Sequence, residues 1–182
     1  MANPEQLEYL QDSADDWKVY RREHAITRPD LRGADLSAAE LPGADLSGAD
    51  LTNANLAGAD LTNANLANAD LSGANLSGAY LLNVVLSGSN LAGADLTGAN
   101  LTEVNAANAN LTDATLTGAI LGGANLANAD LTNAILRQAD LSEANLTSAT
   151  LLQADLTEAN LAGVDLSKAD LSWVAGLDLG GT

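Results

Sequence analysis

The stretch GADLTNANLANADLSGANL, residues 58–76, sets leucine at 61, 66, 71 and 76, alanine two residues before each, and mostly small or polar residues between. The same apolar pair recurs without gap or insertion from Leu31 to Leu171, giving 29 five-residue repeats over residues 29–173. The central position is Leu in every repeat except the one holding Ala106, and Ala stands two residues earlier in 24 of them. On an α-helix a step of five advances about 140° net, so the leucines would spiral over the whole surface. On a flat strand an odd step would throw alternate leucines onto opposite faces. A chain that bends once per repeat keeps both apolar positions on one inner face. The pattern therefore predicts an all-β solenoid of short extended segments joined at corners.

The corner chemistry agrees. Two residues after the central position stands Gly in 12 repeats and Asn in 7, the residues that most readily accept φ > 0. From Leu136 onward this position holds Gln138, Glu143, Ser148, Gln153, Glu158 and Lys168, with Gly163 retained, which predicts a different turn there with φ < 0. Ala106 leaves a gap on the axis that Val104 partly fills, so its coil is expected to be the weakest.

The motif A-[D/N]-L-x-x, as in ADLTN, ANLAN and ADLSG, resembles that of the pentapeptide-repeat family and extends over 145 of the 182 residues. The resemblance implies a right-handed quadrilateral parallel β-helix with four repeats per coil and one per face. Seven or so coils at about 4.8 Å each make a rod of about 35 Å. Family members, cyanobacterial ones in particular, often open on a segment similar to the NPE…W found here.

The ends of such a rod need cover, because unpaired strand edges invite association. Residues 1–28 are expected to form an N-terminal helical cap, with one helix from about residue 4 to 24. Asn3 is the N-cap candidate, Pro4 the first helical residue and Gln6 the reciprocal member of a capping box. Leu7, Leu10, Ala14 and Trp17 make one apolar stripe, and Arg21 and Arg22 fall at the end the helix dipole favours. Residues 174–182 form a short tail. With Trp173 it supplies Val174, Leu177 and Leu179, either as a lid on the last coil or as the contact of an end-to-end homodimer.

Composition narrows the function. The chain has no Cys and no Phe, and one His, so thiolate metal sites, disulfides and cysteine nucleophiles are excluded. His24 lies at the basic end of the cap, where a surface role is expected, and a repeat array without another His assembles no Ser/His/Asp site. No catalytic residue, cofactor or metal site is expected. The opening MANPEQLEYL lacks the basic start and apolar run of a signal peptide, and no apolar stretch is long enough to cross a membrane, so a cytoplasmic protein is expected. The net charge of −17 argues against direct binding to nucleic acid or to an anionic membrane, both of which require Lys and Arg.

What remains is a surface for an unidentified protein partner. Two features stand out on the outer face. Tyr80, Leu82 and Val85, with Ile120 in the same column as Tyr80 two coils on, form a candidate contact patch, and Ile135 lies further along. With twenty residues per coil, Asp30, Asp50, Asp70, Asp130 and Asp170 share one column and form a candidate acidic stripe, although a mixture of Asp and Asn also simply dilutes repulsion. Some pentapeptide-repeat proteins modulate DNA gyrase by resembling an acidic DNA rod, so the resemblance implies a DNA-mimicking topoisomerase modulator as the alternative. Those relatives often carry Phe at central positions, or projecting loops; this chain has neither.

Overall fold

The computed structural model describes residues 1–177. From Asp30 on, the residue before each central position pairs in parallel with the residue twenty further along, Asp30 with Asp50, Asp50 with Asp70, and so to Asp155 with Ala175. A twenty-residue step is four repeats, so each coil has four walls with one repeat on each. All 26 central positions from Leu31 to Leu156, Ala106 among them, are buried. The alanines two residues earlier are buried with few exceptions, and Ser89, which takes an alanine's place, donates its hydroxyl to Leu86 O at 2.6 Å.

One repeat shows why five residues suffice. In Ala69–Gly73, Ala69 N–H closes the corner on Leu66 O at 3.0 Å. Asp70 N–H donates to Ala49 O of the preceding coil at 2.9 Å, while Leu71 and Gly73 N–H donate to Asn90 O and Ala92 O of the next, at 2.6 and 2.9 Å. Only Ser72 N–H has no backbone partner, and it donates to the Asp70 side chain at 3.1 Å. Every N–H of the repeat is thus satisfied, as a buried or half-buried backbone requires.

The corner residue has positive φ in all 29 repeats, between 53° at Ala38 and 72° at Gly163. The change of turn expected after Leu136 does not occur: Gln138, Glu143, Ser148, Gln153, Glu158 and Lys168 lie between 57° and 61°. For the first four the reason is the ladder; Glu158 and Lys168, in the last coil, keep the same turn without such a bond among the described residues. Gln138 N–H must reach Thr157 O, at 2.9 Å, as Gly118 N–H reaches Arg137 O at 2.8 Å. The left-handed conformation aims that donor at the next coil whatever the side chain, which then stands exposed outside the corner. Non-glycine residues pay about 1 kcal/mol or more for this conformation, Asn least.

The N-terminal segment is two helices rather than one, α1 (Pro4–Asp12) and α2 (Ala14–Glu23). Ser13 is extended between them, its hydroxyl accepting from Asp16 N–H and donating to the Asp16 carboxylate, which starts α2 afresh. Asn3 does cap α1, accepting from Glu5 and Gln6 N–H. The capping box is not formed, because Gln6 instead accepts from Asp30 N–H at 2.7 Å, and Asn3 N–H donates to Asp30 O at 2.8 Å. Leu10 and Trp17 of the stripe are fully buried, Leu7 and Ala14 partly so. Trp17 Nε1 and Arg21 Nη1 both donate to Asp45 O, at 2.7 and 2.6 Å, and Arg21 Nη2 donates to Ser47 O at 3.1 Å. These donors occupy first-coil carbonyls that a preceding coil would otherwise fill. Among the described residues no helix is long and apolar enough to cross a membrane.

Corner conformation can be isolated at Gly58, where φ is +65° and an added Cβ would meet nothing within 4 Å. Gly58→Ala is expected to cost about 1 kcal/mol, a fall of about 2–4 °C in Tm, whereas Ser148→Gly at φ 58° gains about 1–2 °C. Thermal melts followed by circular dichroism measure both.

Candidate functional site

The outer wall is built by the residue before each central position. All twelve Asp and all ten Asn there accept, through Oδ1, a hydrogen bond from the N–H two residues on, as in Asp60 with Thr62 at 2.9 Å and Asn110 with Thr112 at 3.1 Å. This side-chain bond supplies the one donor that the backbone leaves unpaired. A Ser or Thr hydroxyl at the second position often adds to it, as with Thr132 on Asp130 at 2.6 Å. The polar residue of the motif is therefore a structural part, a role that a reading in terms of charge dilution misses. Its sequence signal is the invariant offset of two from an N–H that no coil can reach. Of the seven repeats with neither Asp nor Asn here, the one with Glu40 fits the same logic, since Pro42 two residues on has no N–H.

Asn adds a second bond. Eight of the ten donate Nδ2 to the residue twenty earlier, in runs such as Asn75 to Asn55 to Asp35, at 3.2 and 3.1 Å. Asp followed one coil later by Asn is thus an acceptor beneath a donor. The two that make no such bond are Asn100 and Asn105, which stand directly above Tyr80 and Val85. Those residues offer neither a carboxylate nor a side-chain carbonyl.

The candidate patch lies where both devices fail together. Tyr80 and Leu82 flank the inward Leu81 and point outward, Tyr80 57% exposed; Ile120 is 44% exposed in the column Asp60–Tyr80–Asn100–Ile120–Asp140. Val85 is half-buried on the next wall and contributes less. Leu82 and Gly122 N–H, facing Tyr80 and Ile120 instead of Asp or Asn, have no protein acceptor among the described residues. Ile135 stands exposed on the preceding wall.

The five aspartates of the acidic column do stack, in the order Asp30, Asp50, Asp70, Asn90, Asn110, Asp130, Thr150, Asp170. Two of them face cations: Arg32 pairs with Asp30 at 2.8 Å, and Arg28 with Asp50 at 3.1 Å. The Arg32 guanidinium holds the Asp30 carboxyl at about 2, and Asp170 is lowered by its Ser172 hydrogen bonds. Charge density in this column is therefore relieved at its N-terminal end and interrupted beyond it.

At the other end, Leu161, Leu166 and Leu171 of the last coil are only partly buried, unlike every central residue before them. Val174 and Leu177 pack partly against the core, and Trp173 is 84% exposed. Leu179 lies outside the described residues. His24 stacks on Tyr20 with ring centroids 4.3 Å apart, its Nδ1 3.0 Å from Tyr20 O. Among the described residues no cluster of His and carboxylate groups is placed to hold a metal ion.

The comparisons with known proteins agree on one family. A profile described as Pentapeptide repeats matches in eight copies over residues 30–68, 64–103, 109–147 and 139–174. The chain is 39% identical to HetL, a pentapeptide repeat protein involved in heterocyst differentiation regulation from the cyanobacterium Nostoc sp. strain PCC 7120, over 79% of this chain and 72% of that one, with a TM-score of 0.36. It is 35% identical to Rfr23 from the cyanobacterium Cyanothece 51142 over 53% and 63% of the two chains, TM-score 0.39. A trypsin-treated variant of QnrB1, a plasmid-mediated fluoroquinolone resistance protein, matches at 23% identity over 77% and 78%, with a TM-score of 0.61. This last likeness concerns the fold, the right-handed quadrilateral β-helix. No curated protein matches.

The wall chemistry makes one pH prediction. Hydrogen bonds from the Thr157 hydroxyl and N–H, then from Arg137, lower the Asp155 carboxyl to about 2. Its folded value lies below the unfolded one of about 3.9, so its stabilisation is complete above about pH 5 and is lost as pH falls through about 2. Asp155→Asn, which keeps the acceptor oxygen, is expected to lower Tm by about 1–3 °C at pH 7 and by clearly less at pH 2.

Proposed function

The chain belongs to the pentapeptide-repeat family, and from that premise we propose that it is a non-enzymatic, cytoplasmic rod that presents its Tyr80–Leu82–Ile120 patch to a protein partner. One observation carries the reading. All 22 Asp and Asn side chains of the wall satisfy a neighbouring N–H, and the largest exposed apolar residues of the wall stand where that bond and the amide ladder are given up. Nothing in the fold requires Tyr80 or Leu82 to be apolar, since their side chains point away from the core.

In this reading the two N-terminal helices cap the first coil, and the last coil is the contact of an end-to-end homodimer formed with Trp173, Val174 and Leu177. Support comes from the difference between the ends: the first-coil leucines are buried beneath the helices, while Leu161, Leu166 and Leu171 keep exposed surface. Light scattering is expected to give twice the mass of 18.4 kDa for the parent chain, and the monomer mass for Trp173→Asp with Leu171→Asp. A parent of monomer mass would reject the dimer.

The DNA-mimicking alternative draws on the acidic column, whose two N-terminal aspartates face Arg28 and Arg32. The two readings separate experimentally. Tyr80→Ser with Leu82→Ser is expected to abolish capture of the partner from native lysate while leaving the thermal melt within about 2 °C, and micromolar protein is expected to leave gyrase supercoiling unchanged. Unimpaired capture by the double variant, or inhibition of supercoiling, would reject the patch in favour of the acidic column.

A further inference from the structure

The patch has a shape and a charge frame as well as an apolar character. Its column reads Asp60, Tyr80, Asn100, Ile120, Asp140 along the rod axis, each residue bridged to the next. At about 4.8 Å per coil the two apolar anchors lie about 10 Å apart and the two terminal carboxylates about 19 Å apart. Beside the anchors runs a second outward row, Leu82, Thr102, Gly122. Gly122 is the only glycine at this position of any repeat. The backbone does not demand it: its φ is not positive, and a Cβ there would meet only Ser142, at 3.7 Å. The missing side chain leaves a shelf beside Ile120.

We propose that this column receives a basic amphipathic α-helix of the partner, laid parallel to the rod axis; the inference rests on the protein-interaction reading above and specifies its partner. Residues seven apart on a helix share one face and lie about 10.5 Å apart, matching the Tyr80–Ile120 interval. An extended peptide repeats one face about every 6.8 Å and places no second anchor there. The residue midway on the helix face falls over Asn100. The Asn100 Oδ1 is taken by Thr102 N–H and hydroxyl, at 3.1 and 2.6 Å, but its amide donors are not used in the ladder. That side chain, together with the open N–H groups of Leu82 and Gly122, calls for a short polar acceptor such as Gln between the two apolar residues. One turn beyond each anchor the helix meets Asp60 or Asp140, so Lys or Arg belongs there. The charge of this chain, −17 overall, disfavours a second copy on the same wall.

The probe is a fluorescein-labelled 18-residue Ala/Lys peptide with two leucines seven apart, a glutamine midway and lysines one turn outside. Its partner is an isomer of identical composition with the leucines on opposite faces. Fluorescence anisotropy is expected to give micromolar affinity for the first peptide and at least tenfold weaker binding for the isomer. Tyr80→Ser with Ile120→Ser weakens the first peptide at least tenfold. Asp60→Asn with Asp140→Asn, which keeps both turn acceptors, weakens it severalfold and flattens its salt dependence, while Asp95→Asn with Asp130→Asn on other walls changes it less than twofold. Circular dichroism of each variant confirms the fold. Equal binding of the two peptides, or an equal effect of the two Asp→Asn pairs, would mean general attraction to an acidic rod and would overturn the proposal. If the first peptide fails to bind while Tyr80→Ser with Leu82→Ser still abolishes partner capture, the helix is wrong and the interaction rod stands.

Discussion

The structure depends on a backbone donor placed at a left-handed corner. From Gly33 to Gln153 each corner N–H reaches the next coil because φ there is positive, and further ladder bonds to the adjacent coils accompany it. Twenty residues therefore close a four-walled coil whose centre has space for Leu and whose walls have space for Ala. No aromatic residue is needed in the stack, since four leucines per layer fill the axis and identical layers pack on one another. The uniformity that makes the composition look poor in core residues is what lets one corner geometry repeat 29 times.

The polar wall follows from the same accounting. After the ladder is made, one N–H per repeat has no coil to reach, and Asp or Asn two residues earlier accepts it. Once that side chain is fixed, Asn can donate to an oxygen below it and Asp can only accept, so Asn stacks on Asp or on another Asn, while the run Asp30, Asp50, Asp70 has no such bond. Where Tyr80, Val85 and Ile120 take this place, local hydrogen bonds are lost with no gain in the core, because the side chains face outward. The residues that serve the fold least are thus the ones that best mark a surface used for something else.

The two ends obey the same constraint differently. At the N-terminal end Asn3, Gln6, Trp17 and Arg21 supply donors and an acceptor to Asp30, Asp45 and Ser47, replacing a coil that is not there. Gln6 and Arg21 had an obvious local reading, a capping box and a dipole contact, and both instead serve the first coil. Local helix rules could not anticipate this, because the competing partner is 24 residues away in the chain. The break at Ser13 was legible in Ser-Ala-Asp-Asp, a fresh helix start that the continuous apolar stripe masks.

The sequence by itself determined the period, the identity of the inward residues and the position of every corner, because a strict five-residue repeat buries its leucines only by bending once per repeat; the twenty-residue register between coils came from the family resemblance and is seen in the bridges. It also marked Tyr80, Leu82 and Ile120 as departures on an outward row. Only the tertiary structure decided that Gln138 or Glu143 turns just as glycine does, that Asp and Asn hold a backbone donor, and that Asn100 and Asn105 lack the partner their counterparts have. These facts depend on what the neighbouring coil presents. A hydrogen bond between residues twenty apart has no local signature until the coil brings the two together.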